Sequence, residues 1–181
     1  MKAPVLLKVG DDVSTDDILP AGSRILPFRS NIPAISEFTY TRLDPTYPER
    51  AKQHQDTGSL IVGGDNYGQG SSREHAALAP RYLGVRAVIA KSYSRIHWQN
   101  LSSFGVLPLS FVTPENFDSI EQGDELSIEG LVEALKAGDS IVAKNTRNGE
   151  RYELTHELSE RQVRMVIEGG LLNMMRQELA A

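Results

Sequence analysis

The sequence predicts an α/β fold with a largely parallel central sheet and an additional C-terminal β-hairpin and helix, on three observations. Between residues 59 and 111, short apolar runs (59–62, 85–91 and 106–111) alternate with stretches of helical composition. Strand, helix, strand order implies parallel neighbours joined by right-handed crossovers. Asn148-Gly149 separates residues 141–143 from 152–154, and Asn-Gly between apolar runs is a strong hairpin signal. Val163, Val166, Ile167, Leu171, Met174 and Met175 recur at helical spacing and form one apolar face.

Taken in order, residues 4–9 (PVLLKV) are an apolar run stopped by Gly10, a strand whose exit is the polar stretch GDDVSTDD. In that stretch Ser14, Thr15, Asp16 and Asp17 are side chains that bond back to local backbone in turns. Residues 18–38 are broken by Pro20, Gly22, Pro27 and Pro33, so irregular surface structure is expected there. They hold Arg24 and Arg29. An arginine fork grips a carboxylate through two parallel hydrogen bonds, although a solvated surface arginine is the plainer reading of each. Residues 37–57 are polar, with one short helix expected over about 48–55 and His54 exposed and without function. Residues 59–62 then read as a buried strand that delivers the chain to GDNYGQGSSREH, residues 64–75.

Gly64, Gly68 and Gly70 let the backbone enter φ > 0 and let a ligand approach closely. After Gly70 the composition turns helical, with Ser71 or Ser72 as N-cap and Glu74 placed to close a capping box with Ser71. A helix start offers unpaired N–H groups and the positive end of the dipole. With two hydroxyls and the Arg73 guanidinium, the segment reads as an anion site containing a hydroxyl; a plain turn with a capped helix fits the same spacing. A P-loop lysine and GxGxxG spacing are both missing. A Ser-His-Asp hydrolase built on Ser71 and His75 is opposed by Arg73, which stands where a nucleophile elbow needs a small residue. His75 is read as a support for the loop.

Beyond the loop a helix from about Ser72 runs into Pro80, which should kink or restart it, and ends at Gly84. Residues 93–104 form a second helix closed by Gly105. His97 lacks partners at metal-ligand spacing and is expected to be a packed, hydrogen-bonded histidine. A short helix over residues 114–120, capped by Thr113, precedes an alternating strand at 125–128. Gly169 and Gly170 interrupt the last apolar face at about 1 kcal/mol each against alanine, so a kink or close contact is expected there.

The 181 residues and net charge of −5 suit a single domain, residues 1–181. No apolar run is long enough to span a bilayer, and the start MKAPVLLKVGDD is too polar for a signal peptide, so a soluble, cytoplasmic protein is expected. The acidic balance without a Lys/Arg cluster argues against nucleic acid as a partner. Cysteine is absent, which excludes disulfides and a cysteine-ligated cluster held by this chain.

Residues 64–111 closely resemble part of the C-terminal swivelling domain of the aconitase family, and STDDILPAG (14–22) resembles another motif of that domain. The resemblance runs from about Val9 to Phe111 and more loosely beyond. The small subunit of isopropylmalate dehydratase shares the fold and a related GSSREH motif, whereas AALAPRYLG and LPFRSNIPAIS look more like aconitase proper. The resemblance implies a three-layer β/β/α swivelling domain. It also implies a hydro-lyase of the tricarboxylic acid cycle, which dehydrates and rehydrates a hydroxy-polycarboxylic acid such as citrate through cis-aconitate.

On the same ground Ser71 is the catalytic base, acting as an alkoxide. Arg29, Ser72 and Arg73 bind substrate, and Asp16 and Gly70 complete the binding set, Asp16 by ordering the site. Many aconitases carry His where this chain has Asp17, so no role passes to Asp17. The family's [4Fe–4S] cluster sits on three cysteines of other domains. The implied partner is therefore a cluster-bearing large subunit or N-terminal domains, with no metal on this chain and no activity in it alone. The alternatives are the small subunit of an isopropylmalate or homoaconitate dehydratase, or a non-catalytic relative that binds an anion or RNA.

Overall fold

Period-two alternation in the strands decides the architecture, which a computed structural model describes for residues 1–180. Its elements are β1 (Lys2–Lys8), α1 (Thr15–Ile18), a 3-10 turn (Leu26–Phe28), α2 (Ile32–Ser36), α3 (Tyr47–Lys52), β2 (Ser59–Gly63), α4 (His75–Tyr82), β3 (Val85–Ala90), α5 (Arg95–Ser103) and β4 (Leu107–Phe111). They continue with α6 (Asn116–Ser119), β5 (Glu125–Ile128), α7 (Leu131–Ala137), β6 (Ile141–Asn145), β7 (Arg151–Thr155), α8 (Glu160–Ile167) and α9 (Leu171–Ala180). In β2, Leu60 and Val62 join one buried cluster and Ile61 the other; in β3, Ala87 and Ile89 part in the same way from Val88 and Ala90. The first cluster draws residues from all seven strands and fills the space they enclose. The second packs the outer faces of β1, β2 and β3 against Ala76, Ala77 and Ala79 of α4 and Leu101 of α5.

The expected largely parallel sheet is corrected to a closed mixed barrel in the order β1-β2-β3-β4-β7-β6-β5. The pairings β1–β2, β2–β3 and β3–β4 are parallel, as the alternation with helices requires. The predicted hairpin forms between β6 and β7. It does not stand apart: β7 pairs antiparallel with β4, and β5 pairs antiparallel with both β6 and β1. Both edges of the parallel sheet are thereby covered, which removes the exposed strand edges an open sheet must otherwise protect. The strands form one closed barrel, with α4 and α5 packed on the outer face of its β1, β2 and β3 wall.

Local expectations are met in part. Pro80 lies in the second turn of α4 without ending it. The single C-terminal apolar face is two faces, because α8 and α9 are separated by Gly169 (φ +79°) and Gly170 (φ +123°). His54 is half-buried rather than exposed.

One buried carboxylate makes the barrel's closure sensitive to acid. Asp124, 4% exposed, precedes β5 and accepts from Glu121 N at 2.8 Å and Asn145 Nδ2 at 2.7 Å, and it forms a two-point ion pair with Arg147. The Arg147 guanidinium, followed by these other donors, pulls the carboxyl down to about 2. Because the folded value is depressed, the stabilisation is complete above the ordinary carboxylate range and is lost as pH falls through about 2. Asp124→Asn is expected to lose about 2 kcal/mol at pH 7, a deficit that shrinks as the pH is lowered from about 4 towards 2. Urea unfolding across that range checks it; a deficit independent of pH would show that the charge is not the cause.

Candidate active site

β1 and β2 are parallel neighbours, so their exits leave the same end of the barrel, the carboxyl end where α/β sheets keep their ligands. The two exit segments then zip together. Gly64 N donates to Gly10 O at 3.1 Å, Asp12 N to Asp65 O at 2.8 Å, Gly68 N to Val13 O at 2.7 Å and Thr15 N to Gln69 O at 2.9 Å. This pairing overrides the local helix signal. Residues 70–73 stay outside any helix, α4 begins at His75, and the capping box expected between Ser71 and Glu74 is absent. A capping box forms instead between Ser14 and Asp17 at the start of α1, which gives the turn chemistry of that stretch its physical content.

The glycines serve different ends. A Cβ on Gly64 would lie 2.1 Å from Asp11 Oδ1, and one on Gly68 (φ +83°) 2.2 Å from His97 Cδ2, so both are packing positions. Gly70 (φ +99°) is different: its nearest neighbour would be Thr15 Oγ1 at 3.6 Å, so it needs glycine for conformation and leaves open space in front of the backbone.

Ser71 and Ser72, which follow, are exposed. Thr15 Oγ1 donates to Ser71 O at 3.0 Å and fixes the peptide behind the serine. Among the described residues, the amide N–H groups of residues 70–75 donate to no protein acceptor, and the Ser71 hydroxyl has no hydrogen bond. Successive free amides around a bend are the geometry that binds anions.

Arg73 is not free. Its guanidinium grips Asp16 at two points, 2.5 Å and 3.3 Å, and Asp16 Oδ1 also accepts from Ala21 N at 3.2 Å. The Arg73 bond is the main cause that lowers the Asp16 carboxyl below its ordinary value. Two of the five N–H donors of Arg73 are used in this way, and the others remain for a ligand. Arg29 caps the 3-10 turn with its side chain exposed, and its carbonyl accepts from His75 Nε2 at 2.9 Å. Since a carbonyl only accepts, Nε2 carries the proton.

Arg29, Ser72, Arg73 and His75 share a cavity of about 50 Å³ with Leu19 and Ile25, room for one carboxylate group rather than a whole tricarboxylic acid. Ser71 lies beside this cavity on the open surface, and Asp16 reaches it through Arg73. Arg24 is exposed and is not among the lining residues. Larger cavities of about 450 Å³ lie elsewhere, one of them between α7 and α8, but none gathers these arginines and hydroxyls.

Beneath the loop, Tyr67 OH and Tyr40 OH meet at 2.5 Å, and the Tyr67 ring tilts against His97 at 5.4 Å. His97 is packed as expected but is not hydrogen-bonded: both ring nitrogens are buried without a partner, and burial lowers its pKa to about 4. His75, read as a support for the glycine loop, instead holds the carbonyl of Arg29, and sequence reasoning missed the parts played by Thr15 and by His97 under Gly68. Only Thr15 carried a signal, its place in the turn that pairs with the loop.

Among the described residues no group of three His, Cys, Asp or Glu side chains could hold a metal ion, and no helix is long and apolar enough to cross a membrane.

The aconitase C-terminal domain family model matches residues 36–114. The 3-isopropylmalate dehydratase small subunit of Aquifex aeolicus is 38% identical over 174 residues, covering 96% of this chain and 94% of that protein. The mitochondrial aconitate hydratase of Candida albicans is 34% identical over 197 residues, covering 97% of this chain and 25% of that protein. A probable mitochondrial aconitate hydratase of Caenorhabditis elegans is 37% identical over 200 residues, with 97% and 25% covered. The chain thus spans about a quarter of the length of the aconitate hydratases it matches. A crystal structure of 3-isopropylmalate dehydratase from Methanocaldococcus jannaschii superposes with a TM-score of 0.78 at 30% identity, over 99% of this chain and 96% of that one. Alike in sequence and in fold along nearly its whole length, the chain belongs to the aconitase C-terminal domain family.

Proposed function

We propose that this chain is the small domain or subunit that completes the active site of a [4Fe–4S] hydro-lyase. The enzyme interconverts hydroxy-polycarboxylic acids of the citrate type by dehydration to an enoic acid such as cis-aconitate and rehydration. The observation that carries this reading is the Ser71 turn, an exposed hydroxyl set among unengaged amides beside an arginine already oriented by a carboxylate. The chain has no cysteine to ligate a cluster, so in this reading the cluster belongs to the partner domains or large subunit, where it supplies a Lewis acid for the departing hydroxyl.

This chain's own residues bind the carboxylates and move the proton. Arg29 and Arg73 suit two carboxylates of one substrate, and Ser72 adds a hydroxyl donor between them and Ser71. With the carboxylates held, the carbon next to one of them lies against Ser71 Oγ, which as an alkoxide takes its proton. An unassisted serine is too weak a base for that step. The free amides of the bend and the remaining Arg73 donors would hold the anion and the charge that grows on the adjacent carboxylate. Asp16 fills one face of the Arg73 fork and keeps it aimed, leaving Nε–H and one N–H on each terminal nitrogen for the substrate.

The substrate's tail separates the two kinds of relative. Arg29 at the cavity favours a carboxylate there, citrate rather than the apolar-tailed isopropylmalate, while the near end-to-end match to an isopropylmalate dehydratase small subunit supports the second reading. The test mixes this chain with a cluster-bearing partner and assays citrate, isocitrate, cis-aconitate and isopropylmalate. Turnover of the tricarboxylates is expected only in the mixture. Preferential turnover of isopropylmalate would overturn the tricarboxylate assignment, and stable association without turnover would make the chain a non-catalytic binding relative.

A further inference from the structure

Residues 22–30 cross the mouth of the site with little holding them. All but Ile25, which packs against the outer core cluster, are exposed, and their backbone bonds are local: Ile25 N and Leu26 N donate to Gly22 O, Phe28 N to Ile25 O, Arg29 N to Leu26 O and Asn31 N to Phe28 O. The Phe28 ring adds one stack, 6.0 Å from Phe38. Among the described residues, a single hydrogen bond ties this strap to a distant part of the chain: His75 Nε2–H to Arg29 O, 2.9 Å across 46 residues of sequence. At its near end the strap is held at Ala21 N by Asp16, which is itself gripped by Arg73. Both tethers therefore converge on positions 73 and 75, two residues apart where the glycine loop enters α4.

We propose that His75 is a positioning residue that holds the Arg29 guanidinium in register with the Ser71 turn by gripping the arginine's main-chain carbonyl. The grip leaves the Arg29 side chain uncommitted, so the strap is fixed without neutralising the charge that would meet a carboxylate. His75 is suited to this part because it opens α4, whose next two residues, Ala76 and Ala77, are fully buried. The imidazole thus reaches across from a rigid element to a loosely held one. Because the bond is to a carbonyl, it does not depend on which side chain occupies position 29. The inference rests on the reading of Arg29 as a substrate-binding residue, and it assigns His75 to affinity and not to proton transfer.

The test compares His75→Ala, His75→Asn and His75→Gln with Arg29→Ala. The glutamine amide nitrogen falls near the place of Nε2, whereas the asparagine nitrogen falls near Nδ1. Amide hydrogen exchange over residues 22–31 is measured on the full chain, and KM and kcat for cis-aconitate are measured after reconstitution with the cluster-bearing partner. His75→Ala and His75→Asn are expected to speed exchange in the strap and raise KM, each about tenfold, with kcat within about twofold. His75→Gln should stay close to the parent in both. Arg29→Ala should raise KM yet leave the strap's exchange unchanged. If His75→Ala leaves exchange unchanged, or His75→Gln behaves like His75→Ala, the proposal is overturned. If Arg29→Ala leaves KM unchanged while the exchange pattern holds, the substrate role of Arg29 fails and the tether itself stands.

Discussion

If the proposed function holds, Ser71→Ala is expected to lower kcat of the enzyme reconstituted with its cluster-bearing partner by about a thousandfold while KM moves only a few-fold, the signature of a group whose contribution appears in the transition state. The site is favourable for a clean reading. The Ser71 hydroxyl bonds to nothing among the described residues, so its removal leaves no unpaired partner and should not shift the melting temperature. The peptide is held by Thr15 Oγ1 through the Ser71 carbonyl, which alanine retains, so the amides of the bend keep their direction in the variant. Turnover near the parent value would remove Ser71 from the role of base and leave the loop as an anion-binding turn. Loss of binding together with turnover would instead assign the hydroxyl to the substrate's ground state.

Gly105→Ala is expected to cost about 3 to 5 kcal/mol of stability, the sum of a left-handed backbone penalty and an overlap that cannot relax. Gly105 (φ +74°) follows α5 in a Schellman arrangement, its own N–H donating to Ser102 O at 3.1 Å and Val106 N–H to Leu101 O at 2.9 Å. That alone would make alanine unwelcome. In addition, a Cβ there would lie 2.3 Å from the carbonyl carbon of Gly169, main chain that has no rotamer to change. Gly170 approaches the same corner, where a Cβ would meet Ser103 O at 3.2 Å. Denaturant unfolding of the variant measures the loss. A change within about 1 kcal/mol would mean that the corner between α8 and α9 yields easily.

What could be read from the sequence follows the range of the interactions. β2, β3 and β4 with α4 and α5 were legible because their signals are local: apolar runs, glycine stops and helical composition between them. The Asn148-Gly149 hairpin was legible for the same reason. The barrel was not, because its closing pairs join Lys2 to Ser127 and Ser110 to Thr155, and no local pattern carries a register across such separations. In the site, the glycine loop with its serines and Arg73 announced itself by composition. The capping box at Ser71 failed because residues 68 and 69 bond to Val13, a tertiary contact stronger than a single cap. His97 illustrates the opposite case. Its burial could be inferred from its neighbours, but whether a buried imidazole finds a partner depends on which backbone lies over it, here that of Gly68.

The order of strands around the barrel has a consequence for anyone trimming the protein. The stretch matched by the family model, 36–114, supplies three consecutive staves of seven, β2, β3 and β4, and omits the other four, among them β1, which lies between β2 and β5. Cut out alone, that stretch would bare the outer edges of β2 and β4 and uncover Leu60, Val62, Ile89 and Leu109, the apolar filling that β5, β6 and β7 normally shut away. The unit of recognition is therefore smaller than the unit of folding, and an excised fragment of that length should precipitate.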